Sequence, residues 1–275
     1  MTISVIISTY NKPAWLQKVI WGYECQTHMD FDLIIADDGS GQPTKELIEK
    51  FQRESKLKIK HVWHPDNGFQ KSVILNKATL AATSEYLIFS DGDCIPRKDF
   101  VETHVRNAEN GHFLSGGYFM LPIETSKIIS RENIVNGNAF DVDWLYAHGL
   151  KRTYKSLKLT SGGFQGKILN LLTPTKATWN GHGSSGWKEN ILAVNGFNEE
   201  MQYGGQDREL GERLVNIGIT GKQIRYSAIC IHLEHTRGYK TPESIAKNER
   251  IREETRTKKK IWTEFGIIKS QQPVQ

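Results

Sequence analysis

Cysteine is scarce in this 275-residue chain: Cys25, Cys94 and Cys230 stand far apart with no Cys-x-x-Cys spacing. That disfavours a disulfide framework and predicts free thiols in a cytoplasmic protein. Long hydrophobic runs are missing as well. No apolar stretch approaches the ~20 residues a membrane helix needs, and the N-terminus enters strand-like sequence at Ile3 with neither a basic region nor an apolar signal segment. The expectation is a protein neither integral to a membrane nor exported by a visible signal. Neither sign of charge dominates: the formal net charge of +5 is too small to argue for nucleic acid, though it suits anionic substrates or an acidic membrane surface. Two phosphate-binding signatures are absent. In residues 161–168 the glycines Gly162 and Gly166 are too close together, and Lys167 is followed by Ile168 rather than Ser or Thr, which disfavours a P-loop. No Gly-x-Gly-x-x-Gly follows the first strand, which disfavours a dinucleotide fold of that kind. There is no internal repeat and no long low-complexity linker.

What is present is an ordinary globular composition, 38% hydrophobic, enough for one large domain or two small ones. Residues 3–8 read as a buried strand, broken by Thr9 to Pro13 before an apolar-periodic segment with Trp15, Leu16, Val19 and Ile20. Residues 33–36 repeat the pattern, end in Asp37-Asp38-Gly39-Ser40, and precede a helix predicted over 44–53. A third strand at 57–63 leads through Asn67-Gly68 into a helix carrying Val73, Leu75, Ala78 and Leu80, and a fourth covers 86–90. Alternating buried strands and helices imply a parallel sheet covered on both faces, with ligands beyond the carboxyl ends of the strands.

The later chain is less regular. Residues 122–175 read as an insertion, a lid or acceptor platform, with an amphipathic helix expected around 134–150. A Gly/Ser-rich loop spans 181–186, a short helix starts at Lys188, another runs over 207–217 with Gly218 as its stop, and a last strand is expected at 224–231. A charged helical segment follows Pro242. The expected division is a donor half (1–121), the insertion (122–175), an acceptor and catalytic half (176–240) and a charged helix and tail (241–275), all in one domain.

The fourth strand runs straight into Asp91-Gly92-Asp93. Carboxylates two apart on extended backbone face the same side, and the glycine lets a ligand approach closely. Hard oxygen ligands of this kind suit Mg²⁺ or Mn²⁺ bound to a diphosphate, although an Asp-Gly turn explains the same residues. A second Asp-x-Asp, Asp141-Val142-Asp143, sits in helical-looking sequence and is the weaker metal candidate.

The order of Ser8-Thr9-Tyr10-Asn11, Asp37-Asp38-Gly39-Ser40, Asn67-Gly68, Asp91-Gly92-Asp93-Cys94-Ile95-Pro96, Val194-Asn195-Gly196-Phe197-Asn198-Glu199 and Tyr203-Gly204-Gly205-Gln206-Asp207 resembles family 2 glycosyltransferases. The resemblance implies the GT-A fold, an α/β, Rossmann-like, mostly parallel sheet with helices on both faces. The C-terminal third resembles a galactosyltransferase-type acceptor module. By this resemblance Ser8, Tyr10 and Asp38 hold the nucleobase, and Asn67, Lys71, Asp91, Gly92 and Arg237 also serve the donor. Asp93 is a metal ligand, joined by His235 and His232, for Mn²⁺ or Mg²⁺. Asp207 is the expected general base, kept ionised by a helix N-terminus, with a helix N-cap as its plainer role. Glu209 is the alternative base or a partner for Arg213. Trp187, Gly205 and Gln206 are placed on the acceptor side, Gln206 standing where the family usually has an acid, and 181–186 would flank donor sugar and acceptor. Helix N-cap, surface histidine, solvated lysine and core tryptophan are the competing roles for Asp207, the two histidines, Lys71 and Trp187.

The implied activity is inverting transfer from a UDP-sugar to a saccharide or lipid-linked saccharide, in bacterial surface polysaccharide or lipopolysaccharide synthesis. The Lys/Arg cluster over 247–260 is a solvated helix or a peripheral contact with an anionic membrane. A sugar-nucleotide pyrophosphorylase and an inactive glycan-binding scaffold are the alternatives.

Overall fold

The structure, a computed structural model, describes residues 1–236 and 241–269. It opens with three strand–helix units: β1 (Ile3–Thr9), α1 (Pro13–Glu24), β2 (Asp32–Asp37), α2 (Gln42–Glu54), β3 (Lys58–Trp63) and α3 (Lys71–Ala81). β4 (Tyr86–Asp91) and the short β5 (Cys94–Pro96) follow, then α4 (Phe100–Asn107), β6 (His112–Ser115) and β7 (Gly117–Met120). Five short helices come next: α5 (Ile123–Ile128), α6 (Arg131–Val135), α7 (Val142–Ala147), α8 (Leu157–Thr160) and α9 (Gly163–Leu172). The chain continues through β8 (Ser184–Trp187), α10 (Lys188–Ala193), α11 (Gln206–Asn216), β9 (Thr220–Gln223), β10 (Ile229–His232) and α12 (Pro242–Thr257).

The main sheet has the order β3-β2-β1-β4-β8-β6-β9, and a small second sheet the order β5-β10-β7. The first four strands are parallel, while β8 runs antiparallel to both β4 and β6. This is the mixed, mostly parallel α/β sheet expected. Period-2 alternation sends Val5, Ile7, Leu33, Ile35 and Ile88 to one face, packed with Leu16 and Ile20 of α1 and Ile48 of α2. The other face carries Ile6, Ile34, Leu87 and Phe89, packed with Ile74 of α3 and Leu210 of α11. Continuous apolar runs are what strands covered on both faces need.

Strands β2 and β3 are added on one side of β1, whereas β4 lies on the other. The β1/β4 junction is therefore the point where strand order reverses, the place where such sheets open a crevice for ligands. Register pairs Ser8 with Asp91 there.

Two expected elements are corrected. The helix around 134–150 is broken: Gly137 takes a left-handed φ of 89° that ends α6, and the Asp141 carboxylate accepts from the Trp144 N–H to start α7 afresh. The strand expected at 224–231 is confined to its last residues, β10: β9 ends before it at Gln223, and Ser227 and Ala228 N–H both donate back to the Ile224 carbonyl in a turn between the two strands. Part of the insertion packs into the core: Ile134, Leu145, Leu150 and Leu159 join the first apolar cluster, and the buried Lys18 ammonium donates to the carbonyls of Ser126 (2.7 Å) and Lys127 (2.8 Å). Among the described residues, no helix is long and apolar enough to cross a membrane.

Candidate functional site

A cleft of about 850 Å³ opens at the carboxyl ends of β1 and β4, and its far wall is the start of α11. Asp91 ends β4 with its Oδ1 accepting from Ser8 Oγ (2.7 Å) and from the Lys71 ammonium (2.6 Å) at the start of α3. Burial alone would lower the Lys71 pKa, but the carboxylates of Asp91 and then Asp207 raise it instead, so the ammonium stays charged. Asp207 faces the same cation from α11. Burial raises its carboxyl above the usual range while the Lys71 charge works against that rise. The helix N-terminus, expected to keep Asp207 ionised, does not set its ionisation; desolvation does. Nor is Asp207 the N-cap, which is Gly205 in a left-handed conformation. Asp207 Oδ1 has no hydrogen-bond partner among the described residues.

Gly181 makes this crowding possible. A Cβ there would lie 3.0 Å from Asp207 Oδ2, 3.0 Å from Lys71 Nζ and 3.3 Å from Asp91 Oδ2. Gly92 is equally tight, since a Cβ would sit 3.0 Å from the Ser8 carbonyl, to which its own N–H donates. The missing side chain leaves space for charged atoms at Gly181 and for the end of β1 at Gly92.

One residue on, Asp93 turns toward β10. Its Oδ2 lies 2.7 Å from His235 Nε2 and its Oδ1 3.6 Å from His232 Nε2, with the two imidazoles stacked at 5.7 Å between centroids. Cys94 Sγ donates to Asp93 Oδ1, and Asp93, Cys94 and His232 offer ligand atoms within 4.8 Å of one another. Burial pushes the Cys94 thiol well above its ordinary value, which leaves it a poor ligand for a hard cation. His235 Nδ1 is 2.8 Å from the Thr236 carbonyl. In the neutral imidazole that contact places the proton on Nδ1 and leaves the Nε2 lone pair facing a carboxylate, an arrangement a divalent cation between them would satisfy. A carboxylate with two imidazoles therefore fits Mn²⁺ well, and Mg²⁺ less well because it prefers oxygen.

The opposite end of the cleft is bounded by Tyr10 and Asp38. Tyr10 is exposed and its hydroxyl donates to Asp66 Oδ2 (2.7 Å). Asp38 is buried, its Oδ1 2.8 Å from His64 Nε2 and its Oδ2 accepting from the Gln70 N–H at 3.0 Å. Burial raises its carboxyl, and the His64 and Gln70 hydrogen bonds oppose that rise. The Lys77 ammonium lies 3.2 Å from His64 Nδ1, which makes Nδ1 the acceptor and fixes the Nε2 proton toward Asp38. His64 and Lys77 carried no signal in the sequence.

Ser8, Tyr10, Asp38, Lys71, Asp91, Gly92, Asp93, Gly205, Gln206, Asp207, His232 and His235 thus all border one cleft. Trp187 does not. Because β8 is antiparallel to β4, moving forward along it leads away from Asp91: Ser184 pairs with Phe89, but Trp187 pairs with Tyr86 at the strand's other end. There its ring packs edge-on against Tyr86 and its Nε1 donates to the Glu109 carbonyl. The indole at the cleft is Trp179, fully buried against Phe89 and Phe113. Gly181 and His182 line the cleft, whereas Gly183 packs on Phe100 and Gly186 on Trp179. Asn67 is exposed and only its neighbour Gly68 reaches the cleft. Glu209 makes a buried two-point ion pair with Arg213 (2.8 Å at each contact), so it is a structural partner rather than a base. Asp141 caps α7 and is not part of the cleft. Arg237 lies outside the described residues.

Helix α12 brings Ile245, Glu249 and Arg252 to the cleft from a segment expected to stand apart. Arg252 and Arg256 of this helix share Glu212, and just beyond its end Lys258 and Lys260 share Glu254. Of the two roles expected for 247–260, a solvated helix or a peripheral membrane contact, these pairings are those of a solvated helix.

The sequence profile of Glycosyl transferase family 2 matches residues 4–166. The uncharacterised glycosyltransferase YfnE of Bacillus subtilis is 25% identical over 283 aligned residues, covering 90% of this chain and 69% of its own. Among solved structures, a mannosyltransferase of Pyrobaculum calidifontis in complex with GDP-Man and Mn²⁺ gives a TM-score of 0.59 at 16% identity, over 86% of this chain and 58% of its own. TarS residues 1–349 of S. aureus, in complex with UDP-GlcNAc, gives 0.58 at 17% identity, over 92% and 65%. These likenesses show the fold. The chain spans only 28% and 34% of the length of two further curated relatives.

Proposed function

Since the chain belongs to Glycosyl transferase family 2, we propose that it is a metal-dependent, inverting glycosyltransferase that moves a sugar from a UDP-sugar to a saccharide or lipid-linked saccharide. The observation that carries this reading is the placement of Asp91 and Asp93 at the strand-order reversal, facing Asp207 across one cleft. Asp93 with His235 and His232 would hold Mn²⁺ or Mg²⁺. When bound, the ion offsets negative charge on the departing diphosphate. Tyr10 offers a flat ring to the nucleobase, and Asp38, oriented by His64, can accept an imide N–H. Asp207 accepts the proton of the acceptor hydroxyl as its oxygen bonds to the anomeric carbon. The bond from that carbon to the diphosphate breaks, and UDP leaves with the electron pair. Attack from the face opposite the diphosphate inverts the configuration. The raised pKa of Asp207 makes it a stronger base than a solvated carboxylate.

The galactosyltransferase-type character of the C-terminal third is part of this proposal, as are a cytoplasmic location and a role in bacterial surface polysaccharide or lipopolysaccharide synthesis. The Gln206 side chain accepts from the Gly204 N–H (3.0 Å) at the start of α11, a backbone role that favours the enzymatic reading over the inactive scaffold. The test is Mn²⁺-dependent release of UDP from a panel of UDP-sugars with saccharide acceptors, with GDP-sugars in parallel. Asp207→Asn is expected to bind UDP normally and to lose about 10²–10⁴-fold in turnover. Wild-type turnover in that variant would remove Asp207 as the base.

A further inference from the structure

Helix α9 is anchored on one side and bare on the other. Gly166 packs against the Tyr226 carbonyl, Asn170 Nδ2 donates to Ser227 Oγ (2.8 Å), and the Tyr226 N–H donates to Asn170 Oδ1 (2.8 Å). Just before the helix, the Ser161 carbonyl accepts from Arg97 (2.6 Å). Opposite this anchored side, Phe164, Ile168, Leu171 and Leu172 follow the i, i+4, i+7, i+8 spacing of a single helical face. Three of them are almost wholly exposed: Phe164 at 79%, Leu171 at 84% and Leu172 at 74%. The preceding turn adds Tyr154 at 86% and Leu157 at 42%. Contiguous exposed side chains of this size mark an interaction surface.

Charge identifies what would cover it. From residue 144 to residue 188 the chain contains no Asp or Glu, yet Lys151, Arg152, Lys155, Lys158, Lys167 and Lys176 all fall within this stretch. Among the described residues none of the six forms a salt bridge, in contrast to the paired Arg252 and Arg256 of α12. The positive charge is crowded as well: burial, then the charges of Arg225 and Lys155, push the Lys158 ammonium down to about 8. An apolar helical face accompanied by cations that have no carboxylate partner is the pattern of a helix lying in a bilayer interface over anionic headgroups.

We propose that α9 and the turn before it form a docking surface for an anionic lipid bilayer. The surface adjoins the cleft. Lys158 donates to the Tyr118 carbonyl (3.2 Å), and the Tyr118 ring packs on His182 (4.4 Å between centroids) and His232 (5.9 Å), both of which line the cleft. On the glycosyltransferase reading, and only on it, this placement favours an acceptor carried by the membrane, whose sugar end enters beside His182.

The test is co-sedimentation of the purified chain with vesicles of phosphatidylcholine alone or containing roughly a third phosphatidylglycerol. The wild-type chain is expected to bind the anionic vesicles and to lose binding as salt rises. Phe164→Ser/Leu171→Ser/Leu172→Ser, and separately Lys151→Glu/Lys155→Glu/Lys167→Glu, are each expected to weaken binding at least tenfold. Thermal unfolding and Mn²⁺-dependent UDP binding should stay at wild-type values in both variants. Absence of wild-type binding to anionic vesicles, or binding indifferent to both variants, would overturn the proposal. So would a wild-type dimer that the serine variant converts to monomer, which would make α9 a contact between copies. Vesicle binding needs no turnover, so failure of the enzymatic reading would appear only in the UDP arm.

Discussion

Replacing Lys71 by Met removes the cation held between Asp91 and Asp207 while keeping an unbranched side chain of similar length. The Lys71 and Asp91 side chains are 17% and 22% exposed, so the pair is mostly but not wholly withdrawn from water. Breaking a fully buried pair costs about 3–5 kcal/mol, because the remaining charge is left uncompensated. Partial hydration, and the hydrogen bond Asp91 keeps from Ser8, place this case at about 3 kcal/mol. In a domain of this size that corresponds to a fall in Tm of roughly 6–12 °C. Turnover should respond in a direction set by charge. Lys71 lowers the Asp207 pKa against the effect of burial, so its loss raises that pKa further. A carboxylate base works only when deprotonated, so the acid limb of the kcat profile should move to higher pH, and turnover should fall most at the acid end. Lys71→Arg, which keeps the charge, should restore most of the Tm and the profile. Thermal unfolding by circular dichroism and a pH series of UDP release measure both effects. If Lys71→Met melts with the wild type and its acid limb does not move, Lys71 is a solvated lysine and the electrostatic account of the cleft fails.

Asp93→Ala should abolish Mn²⁺-dependent UDP binding, measured by calorimetry with the ion and again with excess chelator; binding equal to wild type in both conditions would show that the metal lies elsewhere. Gly181→Ala should fold, because Gly181 does not have a left-handed φ. Its methyl group would nonetheless press on Asp207, Lys71 and Asp91, with an expected loss of about 10²-fold in turnover at little change in UDP affinity. Turnover within a factor of two of wild type would show that the cluster can relax.

The strand ends were legible because each is an apolar run stopped abruptly by polar residues, as at Ser8 to Asn11, Asp37 to Ser40 and Asp91 to Asp93, and a parallel sheet gathers such ends on one edge. Asp207 was legible through its Gly-Gly entry into a helix, though not the cause of its shifted ionisation, which depends on burial beside Lys71 and Asp91. Trp187 was misplaced because a four-residue strand does not declare its direction, and in antiparallel β8 the end that reaches the cleft is Ser184 rather than Trp187. His64 and Lys77 were silent because one begins the loop after β3 and the other sits on an exposed helix face, and only the fold brings them together behind Asp38. The contribution of α12 was hidden by its charge: Arg252 resembles any solvated helix cation until its packing on Gly205 is seen.

The antiparallel strand β8 also bears on how the chain is made. Strand β4, with its apolar Tyr86, Leu87, Ile88 and Phe89, has β1 on one side, but its other neighbour is not synthesised until Ser184–Trp187. At ordinary translation rates the interval is on the order of ten seconds. Throughout it, β4 is an open, aggregation-prone edge at the centre of the future sheet. A fragment ending near residue 121 would keep that edge permanently, so the donor half, although it holds Tyr10, Asp38, Asp91 and Asp93, depends on the later half for solubility as well as for Asp207.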